Sequence, residues 1–107
     1  MKFISEKTQL LKAINSVING ISSKRDTILE GILIQTLDNT IKFNTYNEEI
    51  GIEYTISANI VEKGSTVIKA HTFAEIIRRL PDTDINITLD KENNLLTIEC
   101  EGSCYKL

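Results

Sequence analysis

The stretch Ser65-Thr66-Val67-Ile68-Lys69-Ala70-His71-Thr72-Phe73-Ala74-Glu75-Ile76-Ile77-Arg78-Arg79-Leu80-Pro81 decides the fold. Its first part is rich in β-branched residues and predicts a strand over residues 65–70. The hydrophobic period then changes. Phe73, Ile76, Ile77 and Leu80 fall on one stripe at helical spacing, so residues 73–80 read as an amphipathic helix. Thr72 and Glu75 have the spacing of a capping box, in which the hydroxyl and the carboxylate each satisfy a free amide at the helix start. Arg78 and Arg79 occupy the last turn, where the helix dipole favours cations, and Pro81 stops the helix.

Downstream, three alternating runs predict strands over 85–90, 95–100 and 104–107. Upstream the same order stands already written: a strand over 2–4, a helix over about 6–18, then strands over 29–37, 40–46 and 50–57. The unit β-α-β-β-β therefore occurs twice, as residues 1–57 and 64–107. The first helix carries Leu10, Leu11, Ile14, Val17 and Ile18 on one stripe, with Ser5 as its expected N-cap and Asn19-Gly20 as its exit. Its other face holds Lys7, Lys12, Asn15, Ser16 and Asn19, with no acidic residue after Glu6. Period-two runs such as Ile41/Phe43/Thr45 and Ile85/Ile87/Leu89 imply a half-buried antiparallel sheet. Turns are expected at Asp38-Asn39, at Lys91 to Asn94 and at Gly102-Ser103. The class is α+β, with both helices on one face of the sheet.

A chain of 107 residues is read as one domain, and its net charge of −3 is a poor match for an obligate nucleic-acid binder. A local basic face remains compatible with that total. Two cysteines, Cys100 and Cys104, are few for a small secreted domain, and the start MKFISEKTQLLK has no apolar run of signal-peptide or membrane length. The expected location is the cytoplasm, with free thiols and no membrane partner. His71 is the one histidine, so no metal site or metal cofactor is expected. The five glycines form no phosphate-cradling loop, no nucleophile-elbow pattern exists, and Glu48-Glu49 reads as a solvated turn. No enzyme activity and no cofactor are expected. Lys24-Arg25, in the polar segment after the first helix, reads either as a solvated loop or as a phosphate contact. Lys7, Lys12, Arg78 and Arg79 could share its side, because both helices must pack on the same sheet.

Several of these residues carry a resemblance. Met1-Lys2-Phe3, Leu10-Leu11-Lys12, the Ser22-Ser23-Lys24 loop leading into Ile28-Leu29-Glu30-Gly31-Ile32, and Ala70 through to Leu80-Pro81 resemble the N-terminal domain of the bacterial sliding clamp, the beta subunit of DNA polymerase III. The resemblance spans essentially the whole chain. It rests on order and spacing together rather than on one diagnostic motif. It implies a DNA-clamp fold in which three such domains make a subunit and two subunits close a ring around duplex DNA, helices inside and sheets outside. On that basis the non-sequence-specific DNA contacts are Lys24, Arg25, Lys7, Lys12, Arg78 and Arg79, with Lys24 or Arg25 inheriting the loop contact. The subunit interface is Tyr105, Leu107 and Thr72. The partners are duplex DNA, a second subunit in a ring-forming homodimer, and the replicative polymerase and clamp loader, which bind through two later clamp domains that this sequence does not include. Tyr105 and Leu107 are expected to point towards the interface rather than the core.

Two other readings stay open on the residues alone. One is a non-catalytic interaction module that recruits a strand to an exposed sheet edge such as Tyr105-Lys106-Leu107. The other is a small-molecule enzyme on an unrelated α+β fold, which needs a concave pocket with a perturbed titratable group.

Overall fold

A computed structural model describes residues 1–18, 31–46 and 51–107. Strand β1 (Lys2–Glu6) feeds directly into helix α1 (Lys7–Ile18), followed by β2 (Gly31–Thr36), β3 (Thr40–Tyr46) and β4 (Gly51–Ser57). A short strand β5 (Asn59–Glu62) comes next. The order then repeats as β6 (Gly64–Lys69), α2 (Ala70–Arg79), β7 (Asp84–Asp90), β8 (Leu95–Cys100) and β9 (Ser103–Lys106).

The strands form two antiparallel sheets, ordered β5-β1-β7-β8-β9 and β4-β3-β2-β6. Each half gives its first strand to the other half's sheet. β1 pairs with β7, and β6 pairs with β2. The pairings correspond residue for residue. Phe3 lies opposite Ile87 as Thr66 lies opposite Ile34, and Ser5 opposite Ile85 as Ile68 opposite Ile32. Tyr54 lies opposite Phe43 as Tyr105 lies opposite Ile98. Alternation along these strands turns Phe3, Ile32, Ile34, Ile41, Phe43, Ile85, Ile87 and Ile98 inward. There they meet Leu10, Ile14 and Val17 of α1 and Phe73 and Ile77 of α2, all fully buried. Each such side chain contributes roughly 1.5–3 kcal/mol by leaving water. α1 packs on β3, β4 and β1, α2 packs on β6, and the two helices pack on each other.

Several local expectations need correction. The single sheet is two, because alternation reports which face is buried and not which strands pair. β5 was not expected at all. Ser5 is not an N-cap. It is the buried penultimate residue of β1, its hydroxyl donating to the Glu6 carbonyl at 3.2 Å. The first amide of α1 is satisfied from across the fold instead, where the Lys7 N–H donates to the Thr83 carbonyl at 3.3 Å. The Thr72/Glu75 capping box does not form either. α2 begins at Ala70, straight out of β6, and its cap position, Lys69, is extended with no side-chain cap. Thr72 therefore sits inside the first turn, and Glu75 pairs with Arg78 and Arg79 further along the helix. The expected stop before Pro81 is present, with Leu80 already extended.

The β8–β9 turn is centred one residue earlier than expected. Cys100 pairs with Ser103, and the two residues between them, Glu101 (φ 42°) and Gly102 (φ 84°), are both left-handed. That is the backbone of a tight two-residue hairpin. It leaves Cys100 buried and Cys104 exposed, both as free thiols. Asn19-Gly20, the Glu48-Glu49 turn, Leu29, Glu30 and Ile50 lie outside the described residues. Among the described residues, no helix is long and apolar enough to cross a membrane, and no cluster of His, Cys, Asp or Glu is placed to hold a metal ion.

Candidate nucleic-acid interface

Helix α1 has the sequence KTQLLKAINSVI, without a carboxylate, and it buries Leu10, Ala13, Ile14 and Val17. That leaves Lys7, Thr8, Lys12, Asn15 and Ser16 on the side away from the core. With Leu11 and Asp82 they line an open hollow of about 720 Å³. Lys12 and Asn15 are exposed. Helix α2 buries Ala70, Phe73, Ala74 and Ile77, and exposes Glu75, Arg78 and Arg79.

The start of α1 meets the end of α2, and a small network ties them together. The Lys7 ammonium donates to the Arg78 carbonyl at 3.1 Å and to the Leu80 carbonyl at 2.5 Å. Those carbonyls end α2 and have no partner within the helix. Lys7 thus supplies from another element both a hydrogen-bond donor and a positive charge at the negative end of the helix dipole. Thr8 Oγ1 donates to Asp82 Oδ1 at 3.1 Å, and Arg78 Nη2 donates to Asn15 Oδ1 at 3.3 Å. Glu75 lies 3.6 Å from both guanidinium groups, one turn along. Such exposed pairs stabilise little in high dielectric, so both arginines keep most of their outward charge.

The expected phosphate ligands therefore divide. Lys12, Arg78 and Arg79 are brought to one solvent-facing surface of the helix pair. Lys7 is at the same place, but its ammonium is occupied by α2. Lys24 and Arg25 lie outside the described residues. Sequence reading missed the roles of Asn15 as a bracket for Arg78 and of Asp82 as the partner of Thr8. Both are contacts between residues far apart in the chain, with no local signal. Four cations (Lys7, Lys12, Arg78, Arg79) against two carboxylates (Glu75, Asp82) make this surface positive on a chain whose total is −3.

At the other proposed site, Thr72 and Leu107 come together. They share the lining of a second hollow, of about 420 Å³, with Thr66, Ile68, Leu89 and Leu96. Tyr105 is not on that lining. Leu107 extends the β9 ladder by exchanging hydrogen bonds with Leu96, at 2.9 and 3.1 Å. Contrary to the expectation that they point towards an interface rather than the core, Tyr105 and Leu107 pack against the core. They share the inner face of the sheet with their β8 partners Ile98 and Leu96 and are half-buried, while Cys104 and Lys106 are exposed. Period two dictates this once Ile98 and Tyr105 pair. β9 is the last strand of its sheet, with its outer edge unpaired among the described residues.

The profile of the family described as DNA polymerase III beta subunit, N-terminal domain, matches residues 1–107. The chain belongs to that family. The beta sliding clamp of Bacillus subtilis is 32% identical over 111 residues, covering 95% of this chain and 29% of the relative. That of Caulobacter vibrioides is 30% identical over 110 residues, covering 100% and 29%. Among solved structures, the sliding clamp of Bacillus subtilis superposes with a TM-score of 0.93 at 28% identity, covering 100% of this chain and 30% of that one. The Caulobacter crescentus pol III beta structure gives the same TM-score and identity. This beta-subunit domain thus spans less than a third of the length of the relatives it matches.

Proposed function

We propose that this chain is a DNA-facing, ring-closing domain of a polymerase processivity clamp in the cytoplasm. Residues 1–57 and 64–107 act in it as pseudo-repeats of one domain. The observation that carries the reading is the paired-helix surface, with Lys12, Arg78 and Arg79 turned outward on an otherwise acidic domain of the beta-subunit family. Lys24 and Arg25 extend this surface in the proposal. A few cations held on rigid helices attract phosphates without reading bases, and such contacts carry no sequence information. The domain works as a scaffold and not as a catalyst. A second subunit pairs along the outer edge of β9, covering Tyr105 and Leu107 with Thr72 beside them, to close a homodimeric ring. Polymerase and clamp loader bind through the other clamp domains of the subunit.

The test is fluorescence anisotropy of the 107-residue chain with two duplexes of unrelated sequence, titrated from low to moderate NaCl. Replacing Lys12 and Arg79 with Ala should weaken both complexes equally. It should also flatten the slope of log affinity against log salt by about 0.9 for each phosphate that the variant no longer neutralises. Strong preference for one duplex, or a slope indifferent to both substitutions, rules the reading out.

A further inference from the structure

The two halves differ at one edge. The outer edge of β1 is covered by β5, with Phe3 opposite Ile60, Ile4 opposite Asn59, and Lys2 opposite Glu62. β6 occupies the equivalent place in the other sheet, and among the described residues nothing pairs with its outer edge. The register makes Thr66 the counterpart of Phe3, Val67 of Ile4 and Ile68 of Ser5. Exposure follows the missing cover. Phe3 and Ser5 are buried, but Thr66 and Ile68 are half-exposed. Val67 is 65% exposed, the highest value of any large apolar residue described. Leu107, the counterpart of the buried Ile56, is also half-exposed. The 420 Å³ hollow beneath β6 is bounded by these same residues, Thr66, Ile68 and Leu107, with Leu89 and Leu96 as its floor.

The first half also shows what fills such a place. Its chain leaves β4 at Ser57, passes Ala58 and returns antiparallel to β1 as Asn59–Glu62, setting Ile60 against the core. β9 is the counterpart of β4, so chain running on from Leu107 starts where Ser57 starts. The main chain of β6 is ready to accept it. The N–H and C=O of Gly64 both engage the Thr36 hydroxyl, which faces that residue inwards. Strand alternation then turns the amides of Ser65 and Val67 towards the open edge.

We propose that the outer edge of β6 is a strand-acceptor site for an extended segment continuous with β9, running antiparallel to β6 and setting one apolar side chain opposite Thr66, over the hollow. The longer relatives have chain to supply such a segment, since the matched region is 29% of the Bacillus subtilis protein. The site is separate from the helix surface and does not depend on DNA binding.

The test appends a copy of residues 57–62, Ser-Ala-Asn-Ile-Val-Glu, directly after Leu107 and compares amide hydrogen exchange with the 107-residue chain. The Val67 amide should exchange about tenfold more slowly in the extended chain, because an edge donor gains a partner. The gain should vanish when the isoleucine of the appended copy is replaced by aspartate. In Val67→Pro, which removes the N–H at an edge position where proline is tolerated, the neighbouring Ser65 amide should gain no protection from the appended segment. Unchanged Val67 exchange in the extended chain overturns the proposal. So does a Val67 amide already protected in the monomeric parent, which would mean that the edge is covered from within. Protection that rises with concentration and accompanies dimers in sedimentation assigns the edge to a second copy and overturns it as well.

Discussion

The first half of the molecule is closed and the second is open, although their strands pair in the same register. At equivalent positions on β1 and β6, Phe3 is buried and Thr66 is half-exposed. At equivalent positions on β4 and β9, Ile56 is 5% exposed and Leu107 is half-exposed. The same topology thus gives counterpart positions different exposure: Phe3 and Ser5 are buried where β5 covers their strand, and Thr66 and Ile68 are half-exposed where nothing described covers theirs. Register alone does not set burial. The element next to a strand does.

The sharpest way to break this comparison is to truncate both counterparts. Phe3→Ala should cost about 3–4 kcal/mol and Thr66→Ala under about 1 kcal/mol in urea unfolding. Equal costs would mean that β6 is as buried as β1. A second contrast separates the two lysines of α1. Lys7→Met should lower stability by about 1 kcal/mol, because two carbonyls at the end of α2 lose their donor and the helix end loses a charge. Lys12→Met should leave unfolding unchanged within about 0.5 kcal/mol while flattening the salt dependence of DNA binding. If both variants behave alike, the division of labour on the helix surface is wrong. In the β8–β9 hairpin, Gly102→Ala meets open space but a left-handed backbone, so about 1 kcal/mol of strain is expected in urea unfolding without any clash.

The smallest expected effect compares two turns. Asp38, in the β2–β3 turn, has its pKa held low by a hydrogen bond and charge from Lys63, 2.5 Å away. Asp90, at the β7–β8 turn, is held low by the Asn93 side chain and the Glu92 amide, which carry no formal charge on the donor. Both carboxyls are depressed, so each stabilises the fold above the ordinary carboxylate range. That contribution is lost as the pH falls through the depressed value. NMR titration in low and high NaCl separates the causes. Salt should move Asp38 towards the ordinary value and leave Asp90 in place, because screening acts on ion pairs at the surface.

Much of this was legible in the sequence. The period change between the strand read over 65–70 and the stripe that starts at Phe73, with the stripes on both helices, located the elements and the core to within a few residues, since amphipathic patterning is written residue by residue. The basic side of α1 was legible too, because a helix of that length without a carboxylate is visible by inspection. What failed was non-local. Asn59–Glu62 is too short and too polar to announce a strand, and only the edge of β1 makes it one. Thr72 and Glu75 match a capping box by spacing, but the helix has already begun at Ala70. Lys7 looks like a phosphate ligand because nothing near it in sequence reveals the carbonyls of Arg78 and Leu80. Tyr105 and Leu107 read as outward because only their partners on β8 decide which way they face.

The exchange of first strands has a consequence for how the molecule is made. β1 is synthesised well before the partner that completes it, β7, since Lys2 lies opposite Thr88. Neither half can finish its sheet until strands of the other half have been made, and β2 must likewise wait for β6. Folding of this domain should be a single cooperative event, slow for its size because its decisive contacts are distant in sequence. Cutting the chain between β5 and β6 should yield two pieces that stay unfolded apart and regain structure only when mixed.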